Sequence, residues 1–145
     1  RYELLILVAS VVLGFVVGAI AAAYIPTLRR VFTPKKEMRA EVAQGASQAF
    51  YSHQVHHTQE KTGLLIYVSL FERMVNILGD QAVLDSVGKA PLQHLCDDLT
   101  RGIHDGDLAT SLCEAIEKAG ELLETALPRA EGDVNEIENA LVFKD

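Results

Sequence analysis

Tryptophan is missing from the 145-residue sequence, and cysteine occurs only twice, at Cys96 and Cys113. The two cysteines form no CxxC pair, and no Cys/His set has the spacing of a zinc finger. No GxSxG, P-loop, GxGxxG or HExxH motif is present. The sequence therefore specifies neither a catalytic nucleophile nor a nucleotide site by motif. Because both cysteines fall on apolar faces of predicted helices, we expect buried free thiols rather than a disulfide.

Side chains that ionise near neutral pH are absent from Leu4 to Ile25. As a helix, this uncharged run of about 22 residues can cross a hydrocarbon core of about 30 Å. A helix satisfies its own backbone hydrogen bonds, which lipid cannot do. A buried helix of a soluble protein rarely stays apolar on every face for so long. A secretory signal has a shorter apolar part, although Ala21–Ala23 resembles a cleavage site. We predict a transmembrane helix within residues 1–26 and, since the chain begins with Arg, further sequence upstream.

Small residues recur at four-residue intervals along this apolar run. The row contains a GxxxG pair and consists of Ser10, Gly14, Gly18 and Ala22. Such a row lets another helix approach closely, and packing then drives association. Glycine is also simply common in membrane helices, so the row alone does not establish pairing. We predict that it forms a helix-packing interface with another transmembrane helix or subunit.

Basic residues cluster just after the apolar run, at Arg29, Arg30, Lys35, Lys36 and Arg39. Basic residues accumulate on the cytoplasmic flank of a membrane span, so we expect the C-terminal domain to face the cytoplasm. The same cluster is suited to contact anionic lipid headgroups. We therefore assign these residues to topology and lipid contact, and we expect membrane lipids to be partners of the chain.

Charge divides the rest of the chain into a basic connector, residues 27–39, and an acidic domain, residues 40–145. The connector has a formal charge of +4, whereas the domain carries seven basic and eighteen acidic residues, a formal charge of −11. Binding to nucleic acid depends largely on neutralising phosphates, so we expect no nucleic-acid partner. About one hundred residues suffice for one small domain.

Apolar periodicity predicts a mixed α/β domain. Helices are predicted over residues 37–53, 91–104 and 107–127, from stripes at helical spacing. Two short apolar runs, Leu64–Ser69 and Met74–Leu78, predict an antiparallel hairpin. A two-stranded sheet is marginal by itself, so we expect a third strand from residues 141–143 and a further neighbour for the first strand.

Two groups of side chains are candidate metal ligands. The first is a histidine group, His53, His56 and His57, although no carboxylate lies within it. The second is acidic: Asp80 ends the second strand, and Asp133, Asn135 and Glu136 crowd a turn. Carboxylate and amide oxygens suit a hard cation such as Ca²⁺ or Mg²⁺, but no EF-hand spacing is present. The alternative interpretation is a turn stabilised by bonds from side chain to backbone.

Five motifs, in order, resemble the TPM-domain family, which includes plant thylakoid proteins and many bacterial membrane proteins. They are His56 with Thr58, the strand Thr62–Arg73, Gly79–Asp80, a helix with Ala115–Ile116 and Gly120–Leu123, and the closing Asp133–Ile137. The resemblance runs from about Tyr2 to the end of the chain and is nearest to a bacterial subgroup that carries membrane helices. It implies an α/β/α sandwich around a small sheet, completed by an upstream strand or a partner, and location in a bacterial inner membrane.

The resemblance also frames two hypotheses about function. In the first, the chain is a membrane-anchored, non-catalytic accessory subunit, and relatives imply a role in assembly or repair of a photosynthetic or respiratory complex. In the second, it is a membrane-tethered, metal-dependent phosphatase, since some relatives are described as phosphatases or calcium binders. The residues carried over to such an acidic site are Asp80, Asp133, Asn135 and Glu136. The first hypothesis is favoured because no nucleophile is specified.

Overall fold

The computed structural model describes residues 2–24, 34–129, 131–137 and 141–143 of the chain. The chain divides into two compact units, residues 1–38 and 39–145. Helix α1, Tyr2–Tyr24, accounts for most of the first unit. The second unit is mixed α/β and mostly helical. The predicted α/β class with an N-terminal apolar helix is therefore confirmed at this level.

Helix α1 is apolar on all sides and exposed on all sides. Its 23 residues correspond to about 34 Å of helix, enough to cross a bilayer. Every large apolar side chain in it is exposed, from 45% at Val16 to 83% at Tyr2. By length and composition this helix can cross a membrane, although an N-terminal signal sequence would meet the same criteria. Within this chain, its apolar surface is not covered by protein.

Helix α2, Lys35–Ser52, forms where the sequence predicts it. Its buried side chains Val42, Ala46 and Phe50 are spaced by four residues and so lie on one face. The helix ends at Gln54, which has a left-handed φ of 55°. There the amide of Gln54 bonds to the Tyr51 carbonyl, and the amide of Val55 bonds to the Phe50 carbonyl, a Schellman motif.

The sheet has two antiparallel strands, β1, Leu64–Ser69, and β2, Met74–Gly79. Leu64 pairs with Gly79 and Ser69 pairs with Met74, so residues 70–73 form the hairpin loop. This hairpin confirms the sequence prediction. The predicted third strand is wrong within the described part of the chain: residues 141–143 are irregular and exposed, and the sheet there has only two strands.

Three helices follow the hairpin: α3, Gln81–Ser86, α4, Lys89–Asp105, and α5, Leu108–Ala126. The last two match their predictions within two residues at each end. Gly106, with a φ of 86°, ends α4 in the left-handed conformation that glycine adopts at no steric cost. Asp107 stands at the N-cap of α5 as predicted, but its side chain makes no capping bond. Helix α3 was not predicted.

One face of the sheet packs on α4 and α5. Apolar residues of α4 form the centre of this core, with Leu95, Leu99 and Ile103 buried against Val75 and partly buried residues of β1. Helix α5 contributes Ala115 and Ala119. Because these alanines are small, α4 and α5 can approach closely. At Gly102 the two helices lie so close that a Cβ would overlap the Ser111 side chain.

The other face of the sheet meets α2. A Cβ placed on Gly45 would lie 2.6 Å from the Tyr67 hydroxyl oxygen, so the glycine makes room for that ring. Side chains alternate between faces along a strand, which places Tyr67 opposite its neighbours Ile66 and Val68 that face α4. The hairpin therefore has helices on both faces. The loop before β1 and the residue that follows β2 meet beside the sheet, where the Asp80 amide donates to the Gly63 carbonyl.

We expect Gly102→Ala to destabilise the second unit by about 1–3 kcal/mol, because the new methyl group must displace the Ser111 Cβ, which is fixed to backbone. Gly120→Ala is the matched control. A Cβ at Gly120 has no neighbour within 4 Å, and replacing glycine inside a helix stabilises by about 0.5–1 kcal/mol. Denaturant unfolding followed by circular dichroism measures both. Equal effects of the two substitutions would contradict the close approach of α4 and α5.

Candidate functional site

Asp80 lies at the junction between β2 and α3. Its Oδ1 accepts a hydrogen bond of 2.7 Å from the amide of Gln81, which makes Asp80 the N-cap of α3. Its own amide donates to the Gly63 carbonyl at 2.8 Å. The second carboxylate oxygen, Oδ2, is buried and has no hydrogen-bond partner. Burying a carboxylate oxygen without a hydrogen-bond partner costs free energy. Oδ2 is therefore the polar atom at this end of the sheet that most needs an explanation.

The loop before β1, residues 56–63, connects one other predicted ligand, Glu136, to the backbone of Asp80. Lys61 accepts a backbone hydrogen bond of 3.2 Å from Ala82 of α3, beside the Gly63–Asp80 bond. At its other end, the amide of Gln59 donates to Glu136 Oε2 at 2.9 Å. The loop thus bonds both to the end of β2 and to Glu136, which lies 77 positions after Gln59. Residue spacing does not predict this link.

The remaining two acidic-site residues are placed differently from the prediction. Asp133 forms an ion pair with Arg129, with 3.5 Å between Oδ2 and the guanidinium Nε, and both side chains are largely exposed. Asn135 lies in the exposed stretch between Asp133 and Glu136. Within the described residues, no three His, Cys, Asp or Glu side chains are arranged to hold a metal ion. Asp80 and Glu136 both bond to the loop 56–63, whereas Asp133 pairs with Arg129. A Ca²⁺ or Mg²⁺ site at the four residues stays a prediction.

The histidines lie in an aromatic cluster. The His56 ring is 4.9 Å from the Tyr51 ring and 6.1 Å from the His57 ring, measured between centroids, and it also approaches Phe50. The Nδ1 atom of His56 is buried without a partner. His53 is exposed at the end of α2. The cluster is a packing arrangement that covers the C-terminal end of α2.

The two cysteines are free and differ in exposure, so the prediction that both are buried is wrong for Cys113. Cys96 is partly buried on α4, and its thiol donates to the Val75 carbonyl at 3.1 Å. Burial, and then the nearby Asp97 carboxylate, raise the pKa of the Cys96 thiol above its ordinary value, with a bond to Thr100 opposing them. The thiolate is the nucleophilic form, so Cys96 is a weak nucleophile at neutral pH.

An open groove of about 630 Å³ lies beside α3, between the first half of α4 and the second half of α5. Its polar lining includes His94, Asp98, Lys118 and Glu121. Asp98 pairs with Arg101 at 3.3 Å and with Lys118 at 3.6 Å, and all three side chains are substantially exposed. Exposed pairs of this kind contribute little to stability. The groove depends on tertiary packing and was not predicted.

The described residues among those predicted for membrane contact lie on two helices. On α1, the Ser10 hydroxyl donates to the Leu7 carbonyl at 2.8 Å, and a Cβ at Gly14 or Gly18 would have nothing within 4 Å. The Ala22 side chain, like Arg29 and Arg30, lies outside the described residues. Three basic residues, Lys35, Lys36 and Arg39, are exposed in the first two turns of α2. Positive charges near a helix N-terminus interact unfavourably with the helix dipole, so these three residues are not explained by a contribution to the stability of α2.

Comparison with known proteins gives a fold relative. The chain is similar to the BA42 protein of the psychrophilic bacterium Bizionia argentinensis, known from an NMR structure, with a TM-score of 0.61 and 26% sequence identity. The match covers 68% of this chain and 68% of that one. No family model and no curated protein matches the chain. The similarity supports the mixed α/β fold, while function rests on the chain's own residues.

We expect Asp80→Ala to lower the stability of the second unit by about 1 kcal/mol, because the side-chain cap of α3 is lost. Asp80→Asn retains a capping oxygen and should leave stability close to that of the unaltered chain. Denaturant unfolding compares the two variants. If Asp80→Asn destabilised as much as alanine, the carboxylate charge rather than the cap would be the stabilising feature.

Alkylation should separate the two cysteines. Iodoacetamide is expected to modify Cys113 first, since that residue is exposed, whereas burial and a raised pKa protect Cys96. Mass spectrometry of tryptic peptides measures the two rates in one sample. Faster reaction at Cys96 would contradict its placement against β2.

Proposed function

We propose that this chain is a membrane-anchored, non-catalytic accessory subunit, held in the bilayer by α1 and directing an acidic domain into the cytoplasm. The observation that carries the proposal is the complete exposure of the apolar surface of α1. Burying apolar surface stabilises by roughly 25 cal/mol per Å², so a helix apolar on every face requires lipid or protein around it. Lipid satisfies this requirement on all sides at once.

The ends of α1 support a spanning helix. Tyr2 and Tyr24 lie at its two ends, exposed at 83% and 82%. Tyrosine is enriched at both membrane–water interfaces, where its ring is apolar and its hydroxyl meets water. The basic residues that follow, including Lys35, Lys36 and Arg39, match the cytoplasmic flank of a span. A cleaved signal sequence requires neither the aromatic residue at each end nor this length.

The small-residue row supports a protein partner within the membrane. Ser10, Gly14 and Gly18 leave a shallow strip on α1, and no side chain in the described part of the chain lies within 4 Å of the positions where glycine Cβ atoms would be. Close helix approach at such a strip provides van der Waals packing that lipid does not match. The proposed partner is therefore another transmembrane helix, either in a second copy or in a different subunit.

The finer form of the proposal uses the resemblance to TPM-domain proteins. The ordered motifs favour a TPM-type α/β/α sandwich in a bacterial inner membrane protein. They also favour a role in the assembly or repair of a photosynthetic or respiratory complex, by analogy with relatives. Helices on both faces of the hairpin agree with a sandwich. The similarity to the bacterial BA42 protein supports a mixed α/β fold alone and bears on neither the TPM resemblance nor the role.

Native electrophoresis of the full chain in mild detergent tests the proposed helix pairing. Gly14→Ile and Gly18→Ile are expected to reduce the larger species, because a branched side chain prevents close approach. Val12→Ile, on another side of α1, is the control and should leave the assembly unchanged. All variants should remain in the membrane after alkaline carbonate washing. Release of the unaltered chain by carbonate would contradict the anchor, and indifference to isoleucine at both glycines would contradict the interface.

A second candidate is a metal-dependent phosphatase, favoured by the buried, unpaired Asp80 Oδ2 and by the loop that connects Asp80 to Glu136. This candidate ranks second because no three His, Cys, Asp or Glu side chains in the described ranges are arranged to hold a metal ion. Hydrolysis of p-nitrophenyl phosphate with Mg²⁺ or Ca²⁺ tests it. Activity lost in an Asp80→Asn, Asp133→Asn double variant would favour the phosphatase; equal activity in both chains would remove these residues from any mechanism.

A further inference from the structure

Two adjacent large apolar side chains are exposed at the tip of the β1–β2 hairpin. Leu70 and Phe71 are 62% and 40% exposed. Their neighbour Glu72 turns back: its carboxylate bonds to the Ser69 hydroxyl, and its amide donates to the same oxygen at 3.4 Å. Arg73, with a left-handed φ of 51°, closes the loop and is exposed. The loop therefore presents an apolar pair beside a cation.

The hairpin tip lies at the end of the second unit where the chain enters it. Helix α2 runs antiparallel to β1, because Gly45 lies against Tyr67 while Val55 lies against Gly63. From Gly45 back to Arg39 is about 9 Å of helix, and from Tyr67 on to Leu70 is about 10 Å of strand. The two positions are therefore at the same end of the unit. Its other end holds Asp80 and the loop before β1.

The C-terminal end of α4 is at this end as well. Leu92 of α4 lies near Gly79, and Cys96 bonds to Val75, so α4 runs antiparallel to β2 toward the hairpin loop. The turn that follows brings Asp105 and Asp107 to the same end. These carboxylates offset Arg39 and Arg73, so the charge here is mixed. Recognition by this end must therefore depend on the apolar pair rather than on net charge.

We propose that Leu70 and Phe71 insert into the interface of the bilayer that holds α1, giving the domain a second contact with lipid. The inference rests on the proposed anchor. Only ten residues, 25–34, separate α1 from α2, and they reach at most about 34 Å when fully extended. The end of the domain that bears the apolar pair is the end to which this short link leads. The link is therefore short enough to keep this end of the domain within reach of a lipid surface.

A single introduced tryptophan tests the contact, because the sequence has none of its own. The full chain with Phe71→Trp is reconstituted into phosphatidylcholine vesicles, and the same is done with Tyr51→Trp. Tyr51 is 65% exposed near the opposite end of α2 and is the matched control. The expected result is blue-shifted emission from position 71, with loss of emission when the acyl chains are brominated. Emission from position 51 should stay at its value in water and be unaffected by bromine.

Flotation of the same vesicles separates this inference from the anchor. Chains that float and show quenching at position 71 alone support the proposal, whereas chains that float with no quenching at position 71 overturn it and leave the anchor standing. Quenching at both positions would mean that the domain lies on the surface without preference for the hairpin, which also overturns it. Chains that do not float overturn both. Leu70→Trp provides the same readout if Phe71→Trp unfolds, as judged by circular dichroism.

Discussion

The free-energy cost of hydrating an uninterrupted apolar helix is the constraint on which most other features of this chain depend. Helix α1 has large apolar side chains on every side, and those side chains are exposed in the folded chain. A helix of this kind is stable only where another phase covers it, and lipid is the phase that covers all faces equally. The tyrosines at its ends, the basic residues after it and the small-residue row on it are each understandable once lipid surrounds it.

The second unit shows the opposite arrangement, since it buries its own apolar residues and exposes acidic ones. Leu95, Leu99 and Ile103 pack on one face of a short hairpin, and α2 meets the other at Gly45. Two strands alone are marginal, so these helices provide the stability that the sheet lacks. Among the described residues, the second unit buries no polar or charged side chain.

Elements with strong periodicity could be predicted from the sequence, whereas features that depend on tertiary contact could not. The apolar runs at 64–69 and 74–78 predicted the hairpin, and the apolar residues at helical spacing, including Leu95 and Leu99, predicted α4. Helix α3 has only six residues, too few for periodicity, and its Asp80 cap was the one available signal. Their spacing in the sequence suggested that Asp133 and Glu136 act together. In the structure Asp133 forms an ion pair with Arg129, whereas Glu136 accepts a hydrogen bond from the Gln59 amide, 77 positions away.

The most direct test of the central claim asks whether water reaches the middle of α1. Leu13, 65% exposed in the isolated chain, is replaced by cysteine, and a membrane-impermeant maleimide is applied to vesicles containing the full chain. Cys113, exposed in the second unit, serves as the internal control once vesicles are opened. The account predicts labelling at Cys113 and none at position 13. Labelling at position 13 from the aqueous phase would contradict it.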